Sequence, residues 1–242
     1  IAMSSAMSSA MLPSVASSYV KGELDKTRKQ VDKAIYVTML IAMPSAVGLL
    51  VLAKPVMKLL FNQPESLDMA SYLLMAIAIT VIFYCISTVT NAVLQGIGKV
   101  NAPVIHAAIA FVLQVVVLVV LLMFTNLNLY ALAIAMIVYS LAMCVLNQIA
   151  VRKHLAYKMN IKKTFIMPFV AAVIMGVAAF GAYYGLHYLV KSNFIALMIA
   201  VVLAVLVYFV LVIKLKVITE EEMTNFPKGN LIKKVAKKLH LL

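Results

Sequence analysis

Six stretches of the chain, 35–60, 69–94, 104–125, 129–150, 165–190 and 194–214, each run for more than about twenty residues almost without charge. An α-helix rises about 1.5 Å per residue, so a run of about twenty apolar residues is long enough to cross the hydrocarbon of a bilayer. No Asp, Glu or Arg falls inside any of the six. Barrel strands are excluded, because they show about ten-residue alternating segments, whereas these runs are longer and apolar on every side. Helices remain, since a spanning segment in lipid must close its own backbone hydrogen bonds. The expected fold class is an all-α, polytopic transmembrane bundle of about six full spans. The end of one truncated helix precedes them, from Ile1 to about Tyr19.

Composition closes off the soluble alternatives. With 65% hydrophobic and 12% charged residues, one soluble core of this length leaves too much apolar surface in water. The formal net charge of +13 is gathered between apolar runs rather than interleaved with aromatics on a polar segment. It therefore indicates anionic lipid headgroups and topology, and no nucleic-acid partner is expected. Cys85 and Cys144 lie inside apolar runs with no metal-like spacing, so they read as small buried hydrophobes. The chain opens on Ile1, within an apolar small-residue stretch, with neither a basic leader nor an initiator Met, so the natural N-terminus is expected upstream.

The connections alternate in charge. Lys21, Lys26, Arg28, Lys29 and Lys33 precede the first full span, and the next connection holds Glu65 and Asp68 without lysine. Lys99 follows the second span, a neutral Thr125–Asn128 segment the third, and Arg152, Lys153, Lys158, Lys162 and Lys163 the fourth. Only Lys191 follows the fifth, and a basic tail the sixth. Basic links at every second crossing place one face, and the C-terminus with it, in the cytoplasm. Lys54 and Lys58 lie near the outer end of the first span and are expected to snorkel to the headgroups. In the tail, Thr219 and Glu222 have capping-box spacing. Beyond them Leu231, Ile232, Val235, Ala236 and Leu239 share one helical face, with Lys233, Lys234, Lys237 and Lys238 on the other. Such a helix lies on the inner leaflet. The domain reading is 1–151 for a lobe, 152–214 for two further membrane helices and 215–242 for this tail.

What lies at membrane depth is polar but uncharged. Asn91 and Gln95 are one turn apart, His106 and Gln114 share the following span, and Asn147 and Gln148 end the fourth. Asn91, Gln95, Gln114 and Asn147 are the candidates to line a substrate cavity; the alternative role is interhelical hydrogen bonding. His106 is expected to be a solvated, interfacial residue. Pro44 with Gly48 interrupts the first full span and Pro13 the opening helix, and each proline frees an upstream carbonyl, near Leu40 in the first case. Both are hinge candidates. Gly176, Gly181 and Gly185 predict close helix packing in the fifth span. No catalytic residue, metal site or cofactor is expected, because there are no paired carboxylates, no histidine-rich spacing and no serine with a base in reach by motif.

Three blocks then carry a resemblance: Met11-Leu12-Pro13-Ser14-Val15-Ala16 followed by Lys21-Gly22-Glu23, then Lys54 to Phe61, then Leu94-Gln95-Gly96-Ile97-Gly98-Lys99-Val100-Asn101-Ala102-Pro103. In order and spacing the chain resembles the multidrug/oligosaccharidyl-lipid/polysaccharide exporter superfamily. Within it, the chain is most similar to the polysaccharide-transporter branch of stage V sporulation protein B-like proteins and lipid II flippases. The resemblance implies two six-helix lobes around a central cavity, with two further helices in many members. The present crossings then correspond to the end of helix eight through helix fourteen. The basic lining of the first lobe has no counterpart in this sequence, so no pyrophosphate-binding arginine is carried over. The implied activity is flipping of an undecaprenyl-linked saccharide across the bacterial cytoplasmic membrane by alternating access, with a coupling ion as a possible further partner beside the bilayer. Gly96 and Gly98 make an architectural or flexing turn, and Asn101 and Pro103 are suited to start the next helix. A cation-coupled drug exporter of the same superfamily is the alternative, disfavoured by the two extra helices at 165–214. A non-transporting membrane enzyme or scaffold is the third.

Overall fold

The computed structural model describes residues 2–61, 64–215 and 217, so the capping box and amphipathic lysine face of the tail lie outside the described residues. The order is α1 (Ala2–Val20), α2 (Leu24–Val51), α3 (Ala53–Leu60), α4 (Leu67–Gly96), α5 (Asn101–Phe124), α6 (Leu129–Leu155), a π-turn (Lys162–Ile166), α7 (Met167–Val190) and α8 (Asn193–Lys214). Among the described residues there is no strand. Six of these helices, α2 and α4 to α8, are long and apolar enough to cross a membrane.

Five of the six expected spans map onto single helices with small shifts in their ends. The first does not. The run 35–60 is divided at Leu52 into α2, which begins eleven residues early within the basic segment, and the short α3. Pro55 is the cause: it has no N–H for the carbonyl of Val51, and its ring crowds that carbonyl. The hydrogen bonds Leu52 N–H to Gly48 O and Val56 N–H to Leu52 O persist on either side. Lys54, on the freed α3, then reaches Asp68 of α4 at 2.6 Å, an exposed ion pair that raises the affinity of Lys54 for its proton, first through the hydrogen bond and then through the charge.

The α2 helix is central, packing against α1, α4 and α7; α4 also packs on α6, α6 on α5, and α7 on α8. Small residues set which side is buried, as expected for helices that gain little from hiding apolar surface from equally apolar lipid. In α1 the buried positions are Ser4, Ser8, Met11, Val15 and Ser18, one helical stripe, and Ser8 donates to the carbonyl of Thr88 at 3.2 Å. On α7 the stripe is Ala171, Ala172, Met175, Gly176, Ala179 and Tyr183. A Cβ at Gly176 would stand 2.7 Å from Val47 of α2, whereas Gly181 and Gly185 face open space. The expected three-glycine packing face therefore reduces to Gly176. The remaining extreme is α5, where only Pro103 and Ala110 are buried. Its Phe111, Val112, Val116, Val120 and Leu122 stay exposed, an apolar face suited to lipid or to another membrane helix.

The connections separate into two ends. At one, Arg28 Nε donates to Leu155 O at 2.6 Å, the Tyr157 hydroxyl to Asp32 at 2.7 Å, and the Tyr36 hydroxyl to Val217 O; the start of α2 and the ends of α6 and α8 thus meet. At the other end, Lys54 meets Asp68, Asn193 Nδ2 donates to Pro55 O at 3.1 Å, and Tyr183 donates to Asn193 Oδ1 at 2.7 Å. The basic links share the first end and the acidic link lies at the second, as the alternation in sequence requires.

Candidate functional site

Pro44 lies inside α2 and, having no N–H, leaves the carbonyl of Leu40 without its helical donor. The structure supplies a substitute from another helix: the Tyr208 hydroxyl of α8 donates to Leu40 O at 2.8 Å. One residue further on, Ser45 Oγ donates to Ile41 O at 2.7 Å. Beside this proline runs a groove of about 530 Å³, walled by Ile41, Pro44 and Gly48 of α2, Met175 of α7 and Val201 and Val205 of α8. Apart from Ser45 and Tyr208, whose hydroxyls are committed to backbone, its walls are hydrocarbon. Pro44 and Gly48, two of the hinge candidates, therefore border one cavity; a Cβ on Gly48 would meet nothing within 4 Å.

The second polar feature joins α4, α5 and α6. Asn147 is fully buried, and its Nδ2 lies among three acceptors: Asn91 Oδ1 at 2.7 Å, Thr90 Oγ1 at 3.3 Å and the Ser87 carbonyl at 3.4 Å. That surround fixes the amide orientation, so Oδ1 faces His106 Nδ1 at 2.8 Å, and His106 is the donor. The solvated role expected for His106 is corrected accordingly: it is partly buried and forms one side of an interhelical network. A hydrogen-bonded Asn–His–Asn set between three helices in lipid is what holds segments whose apolar faces are otherwise indistinguishable.

Of the four cavity candidates, Asn91 and Asn147 are thus brought together, while Gln95 is exposed and Gln114 only partly covered, both outside the network. Gly96 touches α1, where an added Cβ would meet Val15 at 3.1 Å. Gly98, at φ +78°, ends α4: its N–H bonds Gln95 O and that of Lys99 bonds Leu94 O. This paired closure needs a left-handed residue at the glycine position. Asn101 is the first residue of α5 rather than its cap, and no side chain caps that end; Pro103 lies in the first turn, where its missing N–H costs nothing. Pro13 sits exposed in the middle of α1 without ending it. Lys233, Lys234, Lys237 and Lys238 lie outside the described residues. The Tyr208 contact is what the sequence could not show: the orphan carbonyl is predictable from Pro44, its donor 168 residues away is not.

A bundle of six helices long and apolar enough to cross a membrane, one of them with a proline inside it beside an apolar groove, defines a multi-pass α-helical membrane protein. The family model described as "Lipid II flippase MurJ" matches residues 3–199. The chain belongs to the lipid II flippase MurJ family. It is 25% identical over 182 residues to the "Lipid II flippase MurJ" of Bacillus subtilis (strain 168), a match covering 74% of this chain and 33% of that relative. A solved structure of "Lipid II flippase MurJ, inward closed conformation" superposes with a TM-score of 0.67 at 18% identity, over 85% of this chain and 41% of that one. The chain therefore spans well under half the length of the relatives it matches.

Proposed function

We propose that this chain forms the second lobe, with its two added helices, of a transporter that moves an undecaprenyl-linked saccharide, a lipid II or polysaccharide repeat unit, from the inner to the outer leaflet by alternating access. The observation that carries the reading is the family match over residues 3–199. The groove beside Pro44 supports it: hydrocarbon walls of about 530 Å³ suit an isoprenoid chain and offer no hydrogen bond to a sugar. The polar headgroup needs a separate hydrated surface, and we assign Gln95 and Gln114 to it, with Asn91 at its edge and Asn147 holding the helices that frame it. The task is translocation, with no bond made or broken, and an ion gradient is one source of drive.

We place the basic end of the bundle in the cytoplasm on the positive-inside rule, with the C-terminus on that side. Residues 1–151 then form the lobe, 152–214 the additional pair, and 215–242 the tail. Gly96–Gly98 and the Pro13 and Pro44 kinks are the points at which the lobe flexes.

The test is transport by the full chain as its host makes it, reconstituted in liposomes with a labelled undecaprenyl-linked saccharide on one leaflet. Label is expected to reach the opposite leaflet, and Gln95→Leu to slow it at unchanged protein yield. Transport absent from the unsubstituted protein overturns the reading; transport indifferent to Gln95→Leu removes Gln95 from the headgroup surface.

A further inference from the structure

The basic end of the bundle holds a cavity that the apolar groove and the Asn147 network leave unexplained. One wall is the first turns of α2, where Arg28, Lys29, Asp32 and Lys33 recur at helical spacing on one side; the facing wall is the connection from α6 to α7. The enclosed space is about 430 Å³, within the range of small-molecule sites. Among the described residues, five cationic side chains, Lys158 and Lys163 being the other two, line it against one carboxylate, that of Asp32.

That carboxylate is already in use, accepting the Tyr157 hydroxyl at 2.7 Å. Arg28 is fixed as a rigid wall: its Nε donates to Leu155 O at 2.6 Å and its Nη1 to Asp25 at 2.9 Å. The Lys163 ammonium stands 5.3 Å above the Tyr36 ring. Among the described residues, none of Lys29, Lys33 and Lys158 has a carboxylate within ion-pair distance. Among the described residues the cations lining the space therefore outnumber its carboxylate five to one, and three of the ammonium groups have no ion-pair partner. Like charges gathered around one cavity repel, and a bound anion relieves that.

We infer that this pocket binds the phosphate of an anionic phospholipid headgroup, of the phosphatidylglycerol kind, from the leaflet at the basic end. A free phosphate offers the same charge, but the surroundings favour a lipid. The floor is the Tyr36 ring and Val37, where the apolar run of α2 begins. The connection beside the pocket exposes Ile161 and Ile166, 63% and 52% accessible. A lipid bound by its headgroup covers those side chains with its acyl chains, and basic pockets between membrane helices take such headgroups. The inference does not rest on the flippase reading, because the leaflet is identified by the basic end alone.

The experiment measures thermal unfolding of the full chain in neutral detergent, titrated with phosphatidylglycerol, phosphatidylcholine, or inorganic phosphate. It reads binding without transport, so a failed flippase assay leaves it intact. Phosphatidylglycerol is expected to raise the unfolding temperature saturably, and the other two are not. Lys29→Gln/Lys33→Gln/Lys158→Gln is expected to weaken half-saturation by at least about tenfold, since each lysine near anionic lipid contributes about a factor of five. The charge-matched Arg152→Gln/Lys153→Gln/Lys162→Gln, on the same end but outside the pocket, is expected to respond as the unsubstituted chain. Should the triple pocket variant not fold, Lys158→Gln alone serves, with a loss of about fivefold. Equal weakening in both triple variants would mean diffuse surface attraction, and an equal response to inorganic phosphate would mean a soluble anion; either overturns the inference.

Discussion

Tyr208→Phe removes one oxygen from the wall of the groove and, with it, the side-chain donor that, among the described residues, reaches the carbonyl freed by Pro44. The bond is 2.8 Å long and joins α8 to α2. Hydrogen bonds between membrane helices contribute about 0.6 kcal/mol on average and about 1.7 at most. An acceptor left unpaired in apolar surroundings adds a cost of about 1–3 kcal/mol. Tyr208→Phe is therefore expected to destabilise the bundle by about 1–2 kcal/mol. The attribution is checked in a second background. In Pro44→Ala the residue at 44 regains its N–H, Leu40 O recovers its own helical donor, and the tyrosine becomes redundant. The cost of Tyr208→Phe should then fall to about 0.5 kcal/mol or less, a coupling of about 1 kcal/mol in the double-mutant cycle. Helicity followed by circular dichroism in a dodecyl sulfate titration of detergent-solubilised protein gives all four stabilities. Equal losses in the two backgrounds would refute the claim that the hydroxyl serves the kink.

Gly176→Ala is expected to cost about 1–3 kcal/mol, because its Cβ would stand 2.7 Å from Val47, while Gly181→Ala, in open space, should be neutral or slightly stabilising in the same titration. Gly98→Ala forces a side chain into φ +78° and is expected to cost about 1–2 kcal/mol; Gly48→Ala, with helical backbone and room for a methyl, serves as its control and should not destabilise. Asn147→Leu strands His106 and Asn91 at once and is expected to cost about 1–3 kcal/mol, with Gln114→Leu, outside the network, changing stability by less than about 0.5 kcal/mol.

Hydropathy and charge made the crossings legible because each depends on one segment at a time: about twenty apolar residues are long enough to cross wherever the neighbours stand. The same logic failed at Leu52, where the apolar run 35–60 continues but Pro55 breaks the backbone; a proline four residues after a potential carbonyl partner was the local signal, and the unbroken hydropathy outweighed it. Pairwise features were hidden for a different reason. In lipid both faces of a helix such as α5 or α8 are apolar, so periodicity does not reveal which face a neighbour covers. What does reveal it is the placement of small and polar residues, and this works only in part: the stripe Ala171, Met175 and Ala179 on α7 is readable, yet Gly181 and Gly185, equally small, face nothing. His106 looked like an interfacial residue because its partner is 41 positions away on another helix. The basic pocket shows the same limit most sharply. Its lysines are conspicuous in sequence as a topology signal, and that signal is satisfied by any cationic link. Their convergence on one cavity comes from packing, with Arg28 reaching Leu155 and Tyr157 reaching Asp32 to hold residues 28–33 and 157–163 against each other. A residue type chosen for orientation thus acquires a second capacity from packing alone. Breaking one of the two closures, by Tyr157→Phe, should accordingly weaken phosphatidylglycerol-induced stabilisation while leaving every charge on the basic end unchanged, since the lost hydroxyl is neutral. Unaltered stabilisation in Tyr157→Phe, measured by the same lipid titration, would show that the charges suffice without the fold that gathers them.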